Sequence, residues 1–302
     1  MRIHDKSDFI NAIQDFDITS EYVIVKPNWL SNGDGEYTEP EILKWLFEAL
    51  PNNKKIVVES YTPWRGLIYE PKGEDDELRV DLDGGKAYWD FYRELDQEFL
   101  SETGIGEVLE AFNAEYVNIT EEVWSKRCVA PDTIRREIGK TGYEFTHEDF
   151  YSYLPTRLYE IRDRATLVSL AKLKLQAAES VGISFSIKNL YGMIPHPSRA
   201  VFHDIDNDFA GMSESMADIF LLYYVLFRST LWINEGIITL VKEHFGEDQY
   251  VERGRNLLFV GRDPLQADAE ASAEFDFDPY KSDYYRYLER HIKTSAAIIK
   301  PG

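Results

Sequence analysis

A single cysteine, Cys128, stands among 302 residues. That excludes an internal disulfide, a Cys-rich zinc site and an iron–sulfur cluster held by several thiolates of this chain. Long apolar runs are also missing. The longest covers residues 219–227, closed by Asp218 and Arg228. It is far too short to span a bilayer and reads as a buried helix. The opening MRIHDKSDF lacks the apolar core of a secretion signal, so a cytoplasmic location is expected. Nucleotide and hydrolase signatures are absent as well. No phosphate-loop pattern occurs, and Gly104-Ile105-Gly106 falls in a helical stretch instead of between a strand and a helix. No Gly-x-Ser-x-Gly elbow is present, and Cys128 has no base beside it in sequence. Positive charge is scarce: 33 Lys and Arg face 54 Asp and Glu, a formal net charge of −21. Such acidity argues against nucleic acid or an anionic membrane as partner.

What remains is an ordinary globular composition, 44% hydrophobic and 14% aromatic, which argues against wholesale disorder. The length fits one large α/β domain over 1–302, or two Rossmann-like lobes at 1–120 and 166–302 about a mixed excursion at 121–165. Short β-branched runs at 22–26 and 55–59 flank a helical pattern at 40–50, which reads as a parallel β-α-β unit. Thr38 and Glu41 have the spacing of a capping box for that helix, with Pro40 in its first turn. Residues 61–87, with the acidic run at 74–77, read as a solvated insertion. Helices are expected near 88–100, 105–112, 213–227, 264–274 and 282–292, and strands near 115–119, 166–170, 230–234 and 257–260. Residues 121–165 show no clean period and read as an excursion or a lid. Alternating strands and helices predict an α/β fold with a mainly parallel sheet flanked by helices.

The densest block is 184–204, SFSIKNLYGMIPHPSRAVFHD. It sets Ser186, Lys188, Asn189, His196, Arg199, His203 and Asp204 among apolar residues, which suits a partly buried site. From 166 to 203 the charged residues are Lys172, Lys174, Lys188 and Arg199 against Glu179 alone. A reversal of sign inside an acidic chain points to an anionic ligand. Other polar residues cluster where strands are expected to end: Lys26-Pro27-Asn28, Glu59-Ser60, Lys172 with Lys174, Asn234-Glu235-Gly236, and Gly261-Arg262-Asp263. Ligands of α/β sheets lie beyond such carboxyl ends.

The blocks VIVKPNWL, TEPEIL, IVVES, LVSLAKLKL, SIKNLYGMIPHPSRAVFH and GRDPLQADAEA, in that order, resemble the family known as domain of unknown function 362. The segments at 186–192 and 263–268 are the specific ones. The resemblance implies an α/β fold and transfers site positions, Asp268 among them, more readily than a reaction. Many members of that family carry a ferredoxin-like segment with cysteine clusters, and this sequence has none.

Three chemistries compete. Lys26, Lys172, Lys174, Lys188 and Arg199 could hold a carboxylate or phosphate, with Asn28, Glu59, Ser186, Asn189, Asp263 and Asp268 completing a substrate site. If the strand persists, Lys172 and Lys174 share one face, so both reach the site or both miss it. Lys188, His196 or His203 could move a proton, with the cations stabilising an enolate. A divalent metal could be held by Glu59, His196, His203, Asp204 and Asp263, although His196-x6-His203 is not a helical ligand spacing. No cofactor is named by the sequence. An enzyme acting on a small anionic metabolite, by isomerisation or group transfer, is the first expectation, and a non-catalytic anion- or metal-binding protein is the alternative.

Overall fold

The computed structural model describes residues 1–62, 85–175, 182–203, 211–241 and 251–294. Most of the acidic insertion, 63–84, therefore lies outside the described residues, as do Asp204 and the His203 side chain.

Among the described residues, seven strands form one sheet: β1 (Tyr22–Pro27), β2 (Lys54–Glu59), β3 (Glu115–Asn118), β4 (Ala165–Leu175), β5 (Ile183–Ser184), β6 (Ser229–Leu240) and β7 (Val251–Gly261). The spatial order is β3-β2-β1-β4-β6-β7, with β5 pairing onto β4. All neighbours from β3 to β6 are parallel, while β7 and β5 run antiparallel. The fold is α/β, and its one sheet draws strands from both candidate lobes.

Alternation along the parallel strands explains the layering. Tyr22 and Ile24 face a core shared with Trp232 and the helices Met212–Leu226, Pro264–Ala273 and Asp283–Thr294. Val23 and Val25 face the other core, filled from the helices Lys6–Gln14 and Pro40–Ala49. Because both faces are covered, β1 is buried at all six positions, and its first four residues, 22–25, read as an unbroken apolar run. The chain leaves β1 toward β2 and β3, then returns to the far side of β1 as β4. The direction of winding thus reverses between β1 and β4, where α/β sheets open a crevice at their carboxyl edge.

Several expectations are corrected by the structure. The Pro40–Ala49 helix begins at Glu39 with no side-chain cap. Thr38 does not cap it. Its hydroxyl accepts from Asn28 N at 2.9 Å and donates to Leu170 O at 3.4 Å, joining the residue after β1 to the middle of β4. Residues 121–165 are more regular than their sequence suggests. They form the helices Ile119–Trp124, Pro131–Gly139 and Thr156–Ile161 with a 3-10 turn at Glu148–Ser152, and Ile134, Ile138, Phe150, Leu154 and Leu158 are buried in the first core. Helices of six to nine residues are too short to display a period. Buried Asp218 on the Met212–Leu226 helix fastens this segment, accepting from Tyr143 Oη at 2.9 Å, His147 N at 3.0 Å and Thr146 N at 3.2 Å. β4 continues five residues past Leu170, the partner of the last β1 residue, carrying Lys172 and Lys174 over the edge. Among the described residues, no helix is long and apolar enough to cross a membrane.

Candidate functional site

At the carboxyl edge, β1 ends in Lys26 and β2 in Glu59. The Lys26 ammonium donates to Glu59 Oε2 at 2.8 Å and to Pro27 O at 2.7 Å. Glu59 is held on both oxygens: Trp29 N donates to Oε2 at 3.3 Å and Ser60 N to Oε1 at 3.0 Å. Gly192 closes over the pair. A β-carbon built there would lie 2.5 Å from Lys26 Nζ and 2.7 Å from Glu59 Oε1, so no larger residue fits without displacing them. The segment Leu190–Met193 can approach so closely because position 192 has no side chain.

The helix Ser186–Asn189 lies against this pair. It has only four residues, so its end must be held from outside. Asp268, on the Pro264–Ala273 helix, does this. Its carboxylate accepts from Ser186 N at 3.1 Å, Ile187 N at 3.2 Å, the Ser186 hydroxyl, and Asn234 Nδ2 at 2.9 Å. Burial pushes the Asp268 carboxyl up to about 6, against the opposing pull of Ser186 and Asn234. Asn189 then spans the strands: its Nδ2 donates to Lys26 O at 2.8 Å and Ser169 Oγ at 3.0 Å, while its Oδ1 accepts from Asn28 Nδ2 at 3.3 Å. Lys174 Nζ donates to Asn28 Oδ1 at 2.6 Å. Lys26, Asn28, Glu59, Lys174, Ser186, Asn189 and Asp268 are thus linked in one hydrogen-bonded network at the reversal between β1 and β4.

Positive charge gathers beside this network. Burial pulls the Lys174 ammonium down to about 7; Glu36 opposes this, and Lys188, Lys172 and Arg199 add to it. Burial, with Arg199 second, pulls Lys188 to about 7. Among the described residues Lys188 has no hydrogen-bond or ion-pair partner, although it is only 9% exposed. His196 is buried against the Tyr92 ring, centroids 4.3 Å apart. Burial and then Arg199 depress it to about 4, so it is neutral at physiological pH and a poor proton acceptor there.

Other expected residues stand outside this hydrogen-bonded network. Lys172 donates to Glu39 Oε2 at 2.7 Å and Oε1 at 3.0 Å, with Glu235 Oε1 2.6 Å away. Burial works against its charge, but Glu235 and Glu39 outweigh that and hold it above the ordinary lysine range. The pairing of β4 with β6 is irregular between Lys172 and Lys174, with the extra residues on β6, and the two ammonium groups still feel each other, since Lys172 helps to pull Lys174 down. Asp263 follows β7, which is antiparallel, so it emerges at the other edge of the sheet. There it caps the Pro264–Ala273 helix, accepting from Leu265 N at 2.9 Å and Gln266 N at 3.1 Å. Among the described residues no group of three or more His, Cys, Asp and Glu is placed to hold a metal ion.

The structure also adds residues that the sequence reading passed over. Ser169 stands in register with Lys26 and relays Asn189 to Ser186 O at 2.8 Å. A serine set between Val168 and Leu170 was the available signal. Glu36, buried and bonded to the Ser31 hydroxyl, supplies negative charge beside Lys174. It directly follows the Asn32-Gly33-Asp34-Gly35 loop, where a carboxylate reads as a solvated one.

Residues 23–273 match the family described as "Domain of unknown function (DUF362)". The chain belongs to that family. No curated protein and no solved structure matches it.

Proposed function

We propose that this member of the DUF362 family is an enzyme that binds a small carboxylate or phosphate at the β1–β4 edge and moves a proton there. One observation carries the reading: Lys188 is buried beside Arg199 with no counter-charge among the described residues. Burying an unpaired cation disfavours folding. An anionic ligand would supply the missing charge, with Arg199 offering a two-pronged fork and Lys174 a second ammonium. Lys188, drawn to about 7 by burial, exists partly as free amine at neutral pH and so suits a proton acceptor. The Lys26–Glu59 pair, the Asn28–Asn189 bridge and the Asp268 anchor fix the frame around it.

The test is exchange of carbon-bound hydrogen. Wild type and Lys188→Met would be incubated in deuterium oxide with small carboxylates bearing acidic α-hydrogens, and deuteration followed by NMR. The reading expects exchange by wild type and its loss in the variant. Binding without exchange would make the protein a non-catalytic anion binder.

A further inference from the structure

Four lysines stand at the carboxyl edge, and their surroundings differ in kind. Lys26 is bonded to Glu59 and Pro27 O. Lys172 is bonded to Glu39 and paired with Glu235. Lys174 is bonded to Asn28. Lys188 is buried, yet among the described residues its amine has no partner. It is also the one carried on a short helix whose first turn is clamped by the Asp268 carboxylate. A partnerless amine on a fixed backbone, beside a second cation, is the arrangement of an amine nucleophile. Lysines engaged in ion pairs have no lone pair to offer.

We propose that Lys188 forms a Schiff base with the carbonyl of a small oxo acid, whose carboxylate is held by Arg199 and Lys174. The proposal rests on the anion-site reading above and narrows its substrate to a class. In the step, the lone pair of the neutral amine attacks the carbonyl carbon, and the carbonyl π electrons pass to oxygen. That oxygen takes one proton from the attacking nitrogen and one from solvent, and leaves as water. The nitrogen keeps one hydrogen and a positive charge in the resulting iminium. The iminium draws electrons from the adjacent carbon and so eases loss of a proton there, which joins the covalent step to the proton transfer already proposed. Burial and the Arg199 charge support the step, since they keep a fraction of Lys188 unprotonated at neutral pH.

Lys55 provides an internal control. Burial lowers it too, but its ammonium donates to Asn53 O at 2.8 Å and Pro51 O at 3.4 Å near the start of β2, at the other edge of the sheet.

The test is reductive trapping. The full chain would be incubated with sodium cyanoborohydride and, separately, pyruvate, 2-oxoglutarate and acetoacetate, followed by intact-mass measurement and peptide mapping. Calorimetry with the same acids would report binding. The expected result is one adduct, the acid's mass less one oxygen, located on Lys188. It should be absent with lactate and lost in Lys188→Met. The map of the wild-type chain stands even if that variant misfolds. Binding of the oxo acids with no adduct from any of them, or an adduct shared equally with Lys55, overturns the Schiff base and leaves the anion site. Neither binding nor adduct overturns both.

Discussion

Lys26 and Glu59 form an ion pair at 2.8 Å in which each side chain is only 1% exposed. The pair joins the carboxyl ends of two adjacent parallel strands, and Gly192 seals it from above. Such a pair contributes little net stability, yet removing one partner strands a buried charge. Glu59→Leu should therefore lose about 3–5 kcal/mol. Lys26→Met combined with Glu59→Leu should lose less than either single change. Chemical denaturation of the two single variants and the double would show this, and additive losses would mean that the two charges do not depend on each other.

Gly192→Ala should disturb the same pair without touching either charge. Its β-carbon meets Lys26 Nζ and Glu59 Oε1 at distances no real β-carbon tolerates. Overpacking of this kind costs about 1–3 kcal/mol. A variant as stable as wild type in denaturant would show that the Leu190–Met193 segment shifts freely, contrary to a rigid frame.

Two buried lysines should respond in opposite ways to the same substitution. Lys172→Met leaves Glu39 and Glu235 facing each other without a cation and should lose about 3–5 kcal/mol. Lys188→Met removes a charge that has no described partner and should leave the melting temperature equal or higher. Thermal unfolding of both variants checks the contrast. A large loss at position 188 would mark it as a structural ion-pair residue.

Stability should also carry the signature of Lys188 in its pH dependence. Its folded value, about 7, lies below its ordinary value of 10.5. Between those values the unfolded chain binds a proton that the folded chain does not, so stability rises with pH across this window. The penalty is absent above about 10.5 and complete below about 7. Lys174 acts with the same sign. Unfolding free energies measured from pH 7 to 10 should rise less steeply for Lys188→Met than for wild type. Parallel curves would mean that Lys188 keeps its ordinary proton affinity.

Much of this site was legible because local chemistry decides it. An apolar strand that stops at Lys26-Pro27-Asn28, or at Glu59-Ser60, has to end at a sheet edge, and the block around Lys188 and Asn189 is too mixed for either a core or a surface. What failed depended on relations between distant residues. Asp263 was misplaced because nothing local reveals that β7 runs antiparallel, which moves its end to the other edge. Lys172 is taken up by Glu39 and Glu235, two carboxylates from other parts of the chain that no local pattern pairs with it. Thr38 had capping spacing, but its hydroxyl was taken by Asn28 N and Leu170 O across the fold. Asp268, expected in the substrate site, holds the backbone of the helix that carries Lys188 and also accepts from the Ser186 hydroxyl and Asn234, partners that no local pattern reveals.

The anion site is tested most directly by titrating the protein with a small carboxylate across a chloride series, with thermal unfolding measured in the same buffers. The chain carries a formal charge of −21. Added salt screens its self-repulsion over a range of about 10 Å at 0.1 M and should raise the melting temperature. The same salt should weaken carboxylate binding, because chloride competes for Lys188 and Arg199, and Lys188→Met should abolish binding while still unfolding at or above the wild-type temperature. Affinity that stays flat or rises with chloride, or that survives in Lys188→Met, would contradict an anion site built on these cations.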